Sequence, residues 1–224
     1  MRIFLVSLLV GFVAARLGIA AEDSSVSTPE KTLPRIFTED FEKGADRWDV
    51  SDKGSWKLHR NGDGKAFGII RRKSEYKPDV RSPGHIALIK DVNVTDFVLT
   101  FKVRSTNDTG GHRDCCVFFG YQDATHFYYV HLGAKPDKVS GQVTVVDGAP
   151  RAPITKNDRD VPWDDKWHTV KLVRSVKKGT IDIYFDDMEK PHLSAVDKRF
   201  GRGRVGIGSF DDMNDFDDIE LQGK

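Results

Sequence analysis

The chain has 224 residues, 38% hydrophobic and 31% charged, with 35 lysines and arginines against 34 aspartates and glutamates. That is enough for one substantial core and too little for two full-sized domains. So even a charge balance argues against a nucleic-acid partner held by positive excess, and 14 Phe, 4 Trp and 5 Tyr argue against a chain too polar to fold.

Arg2 precedes an uncharged apolar stretch from Ile3 to Ala15, followed by Arg16 and the small residues Gly18-Ile19-Ala20-Ala21. A membrane-spanning helix needs about 20 apolar residues, so this stretch is short for an anchor. Its basic start, apolar middle and small-residue end match a secretory signal over residues 1–20, cleaved near Ala20. Arg16 is unusual there and leaves an uncleaved anchor as the alternative. Residues 21–34 are polar and aperiodic, which predicts a flexible leader. The folded domain is expected over 35–224, in a secreted or periplasmic product with no membrane span after cleavage.

Beyond the leader the dominant period is two. Alternation or short apolar runs predict strands at Ile36–Phe41, Ser55–His59, Ala66–Arg71, His85–Lys90, 97–104, Cys115–Tyr121 and Phe127–Leu132. Further segments follow at Val139–Val146, His168–Arg174, Thr180–Phe185, Arg204–Phe210 and Phe216–Leu221. Asn61-Gly62-Asp63-Gly64, Ser82-Pro83-Gly84 and Lys177-Lys178-Gly179 supply turns between them. About a dozen short strands with one-sided alternation predict an all-β fold of two antiparallel sheets packed face to face. Cys115 and Cys116 are adjacent, so on a strand they point to opposite faces and read as separate thiols.

A resemblance rests on particular residues. Trp163-Asp164-Asp165-Lys166-Trp167-His168-Thr169-Val170, then Gly179 to Asp187, resembles the Trp-His-x-Val…Gly…Tyr-x-Asp passage of laminin-G-like, concanavalin A-like domains. Gly203 to Phe210 with Phe216 to Leu221 is similar to the closing strands of that superfamily, and Phe37 to Glu42 with Trp48 to its opening strand. Within it the chain is most similar to bacterial 3-keto-disaccharide hydrolase-type domains, relatives of family-16 glycoside hydrolases. The resemblance implies a concanavalin A-like jelly-roll sandwich whose first and last strands pair, with a concave face that in many relatives holds sugar. Structural calcium is common in such sandwiches, and Asp40 and Asp217 occupy the matching positions.

The family-16 mechanism needs carboxylates at Glu-x-Asp-x-x-Glu spacing on one strand, and this chain does not contain that sequence. No helical His pair and no Gly-x-Ser-x-Gly elbow occurs either. The acids between Asp211 and Asp218 read as a turn into the last strand. In 127–132, Tyr128, Val130 and Leu132 suit the space between sheets, which leaves Phe127, Tyr129 and His131 on the outer face. Rings beside an imidazole, with arginine forks nearby, are groups that stack on sugar C–H faces and bond hydroxyls or carboxylates. The expected ligand-facing set is Arg104, His112, Arg113, Tyr129 and His131, with Lys135 nearby. The sequence thus predicts a carbohydrate-binding sandwich with a glycan or small saccharide as partner. The alternatives are a hydrolase or lyase of 3-keto-glycosides with His131 or His112 as base, and a laminin-G-like protein-interaction module.

Overall fold

A computed structural model describes residues 33–224; the expected signal and most of the expected leader lie outside the described residues. In chain order the strands are β1 (Arg35–Glu39), β2 (Trp48–Val50), β3 (Trp56–Asn61), β4 (Gly64–Ile69), β5 (His85–Ile89) and β6 (Phe97–Ser105). Next come β7 (Cys116–Asp123), β8 (His126–His131), β9 (Val143–Asp147) and β10 (Ala152–Pro153). The chain closes with β11 (His168–Ser175), β12 (Thr180–Phe185), β13 (Leu193–Val196), β14 (Arg204–Ser209) and β15 (Asn214–Gly223). One short 3-10 turn, Gly110–His112, precedes β7. None of the helices among the described residues is long and apolar enough to cross a membrane.

The strands form two antiparallel sheets, as the alternation requires. The first runs β13-β12-β11-β6-β15-β4-β3, with β1 also paired to β15; the second runs β10-β9-β8-β7-β14-β5-β2. First and last strands therefore pair, Glu39 opposite Ile219. Three short strands, β2, β10 and β13, have no clear alternation and escape a reading by period.

Between the sheets lies the main core. Phe97, Leu99, Phe101 and Val103 of β6 meet Val117 and Phe119 of β7, Tyr128 and Val130 of β8, and Val205 and Ile207 of β14. Strands of the first sheet show the expected alternation, with every second residue of β11 buried and the others partly exposed. The second sheet differs. Its outer face carries another apolar cluster, built from Ile86, Leu88, Cys116, Phe118, Phe127, Tyr129 and Val146. Tyr76 and Val80, from the segment joining β4 to β5, pack on it. This strap is held at its ends: the Glu75 N–H donates to Asp52 Oδ2 at 2.8 Å, and His85 Nε2 lies 3.0 Å from the Arg72 carbonyl. Cys115 and Cys116 stay unpaired, one in each core, and burial pushes both thiols well up and out of reactive range.

Glycines let the second sheet close. A side chain at Gly206 or Gly208 of β14 would sit 2.2 Å from the Ala87 carbonyl oxygen or 1.9 Å from that of His85. No Cβ fits there.

Candidate functional site: a charged cleft at one end of the second sheet

β7 begins, and β8 and β14 end, at the same edge of the second sheet. Their flanking loops enclose a cleft of about 510 Å³. Such a volume suits a small ligand. Its walls bring together His112, Arg113, His131 and Lys135 with Arg81 from the strap, Arg151 from the turn after β9, and Phe210 and Asp211 after β14. Asp114 and Asp137 complete the charged lining.

Two aspartates tie the cleft floor. Asp114 Oδ1 accepts the Ser209 hydroxyl at 2.8 Å and the Phe210 N–H at 2.9 Å, while the Asn214 amide donates to the Asp114 carbonyl. In return Asp212 accepts the Ser105 hydroxyl at 2.9 Å and the Thr109 hydroxyl at 3.2 Å. Burial works to raise the Asp114 carboxyl, yet the His131 imidazole and the bonds from Phe210 and Ser209 outweigh it and hold it below the usual range. Asp212 goes the other way: burial, with the charge of Asp114, pushes it up to about 6 despite the Ser105 bond. Asp211 is also raised, by partial burial and then by the charge of Asp114. These three acids were expected as turn residues or not at all. Asp114 and Asp212 are in fact buried, and together they fasten β7 to the β14–β15 turn.

His131 is held at both nitrogens. Nδ1 accepts the Gly141 N–H at 2.9 Å, so the ring proton sits on Nε2, which faces Asp114 Oδ1 at 3.8 Å. Among the described residues, Asp114, Cys116 and His131 are the trio whose ligand atoms lie within 4.8 Å of one another. This tautomer does not suit a metal, because an ion on Nε2 requires the proton on Nδ1, where a donor already points.

Of the six expected ligand-facing residues, the cleft gathers His112, Arg113, His131 and Lys135. Tyr129 points to the outer side of its sheet, as expected, yet it is fully buried under the strap; only its hydroxyl is reached, by Arg151 Nη1 at 3.3 Å. Phe127 is buried likewise, so the hollow expected over residues 127–131 is filled by protein. Arg104 lies on β6, in the other sheet. It pairs there with Asp215 at 2.7 Å and stacks over Trp167 at 4.9 Å. Its outer face is the opposite side of the sandwich, so it does not join the set. Arg113, for its part, is buried and bonded to the exposed Asp165 at 2.5 Å. Arg81, Asp114, Arg151, Phe210 and Asp211 were missed; each lies in or beside a loop, where no period marks it.

Asp40 and Asp217, the expected calcium residues, each close their own turn, accepting the Glu42 N–H at 3.2 Å and the Asp218 N–H at 2.8 Å. Asp40 also lines a larger depression of about 690 Å³ between β1 and β15. Buried Glu39 lines that depression, but its walls hold no aromatic side chain, whereas Phe210 lines the cleft at the sheet end.

Structural comparison places this architecture. A carbohydrate-binding module, CBM66, from Bacillus subtilis superposes with a TM-score of 0.57 at 17% identity, over 79% of this chain and 96% of that one. The fold is a lectin-like jelly roll. The cellulose-induced protein Cip1 gives 0.56 at 12% identity over 84% and 98% of the two chains. A lectin from Bauhinia forficata in complex with GalNAc gives 0.51 at 12% identity over 85% and 98%. No protein-family model and no curated protein matches the sequence. At these identities the likeness concerns the fold; function has to be argued from the cleft.

Proposed function

We propose that this protein is a secreted carbohydrate-binding sandwich that takes its glycan in the cleft at the end of the second sheet. The carrying observation is the convergence there of His112, Arg113, His131 and Lys135 around the buried carboxylate of Asp114. Sugar hydroxyls both donate and accept, so cationic donors and a carboxylate acceptor within one small cavity suit them. The lectin-like neighbours, which include a carbohydrate-binding module and a lectin carrying GalNAc, support this reading. Export is supported by the amino-terminal pattern of a basic residue, an apolar run and small residues.

An enzyme acting on glycosides or 3-keto-glycosides is the second reading. Asp114 and Asp211, pushed in opposite directions, are what favours it. Two points weigh against ordinary hydrolysis. The chain lacks the Glu-x-Asp-x-x-Glu run that sets two carboxylates at the spacing retention requires. His131 has no free lone pair for a base, which leaves the exposed His112 at the rim.

The test is calorimetric titration of a neutral and acidic oligosaccharide panel, with product release from keto-glycosides followed in parallel. Binding that weakens at least about tenfold in Arg113→Ala or Lys135→Ala and is untouched by Arg104→Ala is the expected outcome. Turnover lost in His112→Ala would move the assignment to the enzyme. Absence of binding across the panel would end it.

A further inference from the structure

The cleft cations are not alike. Arg113 has Asp108 and Asp165 within ion-pair distance, and Lys135 has Asp160. Among the described residues, Arg81 and Arg151 have no carboxylate at that distance. Both are nonetheless held in place. Their guanidinium carbons lie 4.2 Å (Arg151) and 5.5 Å (Arg81) from the centre of the Phe210 ring. The Arg151 N–H also donates to the Arg81 carbonyl at 3.0 Å, which joins the strap to the turn after β9.

Two guanidiniums against one ring, neither with a carboxylate at ion-pair distance, repel each other. The nearest polar group gives no relief, because burial pushes the Tyr129 hydroxyl up to about 12 and keeps it neutral. Nor do the cleft acids. Asp137 feels the Arg151 charge, which helps lower its carboxyl, but its Oδ1 is taken by the Val139 and Ser140 N–H groups of its own loop at 2.7 and 2.6 Å, and neither it nor Asp211 forms an ion pair with Arg81 or Arg151. Arg151 uses one donor on Tyr129, and the Arg81 side chain has no protein acceptor among the described residues. The remaining donors form planar forks, whose geometry matches a planar carboxylate.

We infer that the glycan taken by this cleft is acidic, a uronic-acid saccharide whose carboxylate lies between Arg81 and Arg151 at the edge of Phe210. This rests on the carbohydrate-binding reading above and names the ligand class for that site. The neutral ring hydroxyls would then fall to Arg113, His112 and Lys135, which line the same cleft.

The probes are trimers of galacturonate, glucuronate and mannuronate, each paired with its carboxyl-reduced twin, titrated at pH 7 and low salt. At least one acidic trimer should bind at least about tenfold tighter than its neutral twin, with the preference shrinking as salt is raised. Arg81→Gln should reduce that ratio, and Arg81→Gln with Arg151→Gln should bring it to about one. Arg81 is exposed, so its single variant keeps the test valid even where the double variant melts early. Equal binding of acidic and reduced trimers would overturn this inference and leave carbohydrate binding standing. Binding of no trimer would overturn both.

Discussion

The two outer faces of the sandwich are opposites. On the first sheet, alternate residues of β6 and β11 point into solvent, and Lys102 and Arg104 find partners along that surface in Asp218 and Asp215. On the second, β8 is buried on both sides, because the strap carrying Tyr76 and Val80 closes over it. A bare face is a solvated surface. A covered face is a rigid floor, and the loops at its end can hold charged side chains in fixed positions, which a flexible surface could not. The candidate cleft lies at the end of the covered sheet rather than at its centre.

That contrast can be broken most sharply at Phe118. Its ring is fully buried in the second cluster. Phe118→Ala should cost about 3–5 kcal/mol in chemical denaturation. Thr100→Ala, on the open face, should stay within about 0.5 kcal/mol. Equal costs would mean that the strap does not seal the face.

Asp114→Asn comes next, at about 2–3 kcal/mol, since the Ser209 hydroxyl and Phe210 N–H lose a charged acceptor inside the fold. The depressed Asp114 carboxyl adds stability above its ordinary value of 3.8, lost as pH falls below it.

Asp212 has the reverse sign. Raised from 3.8 to about 6, it holds its proton longer in the folded state. Its contribution is complete below pH 3.8 and is lost as pH rises through 6, so Asp212→Asn should flatten the stability profile across that window. An unchanged denaturant midpoint curve between pH 4 and 7 would count against the buried placement of Asp212.

The smallest effect is expected at Asp52, which the Ser55 hydroxyl and then the Glu75 N–H hold at about 2. Asp52→Asn should lower stability by less than about 1 kcal/mol, while limited proteolysis within residues 70–84 speeds up. Faster cleavage without global loss would sharpen the view of the strap as a separate cover.

Much of the fold was legible because its signal is local. Phe97, Leu99, Phe101 and Val103 alternate in the sequence and share one buried face in the structure, and the split of Tyr128 from Tyr129 was readable in the same way. The edge strand β13 was not, since Leu193 to Val196 is too short and too exposed to show a pattern. Half-legible was the candidate cleft. His112, Arg113, His131 and Lys135, expected together, do line it, but Arg104, grouped with them, lies on the other sheet, since period gives the face of a strand and not the sheet it joins.

By itself the sequence determined that the chain makes strands, which residues of each strand face inward, and that Cys115 and Cys116 stay apart. These depend on neighbours one or two positions away, and a period of two is enough to settle them. Only the tertiary structure decided which outer face is covered and which charges meet. Tyr76 reaches β8 from about fifty residues earlier in the chain, and Arg81, Arg151 and Phe210 converge from three separate loops. Side chains brought together by chain closure leave no mark in local pattern, because their contact energy arises only once the sheets are packed.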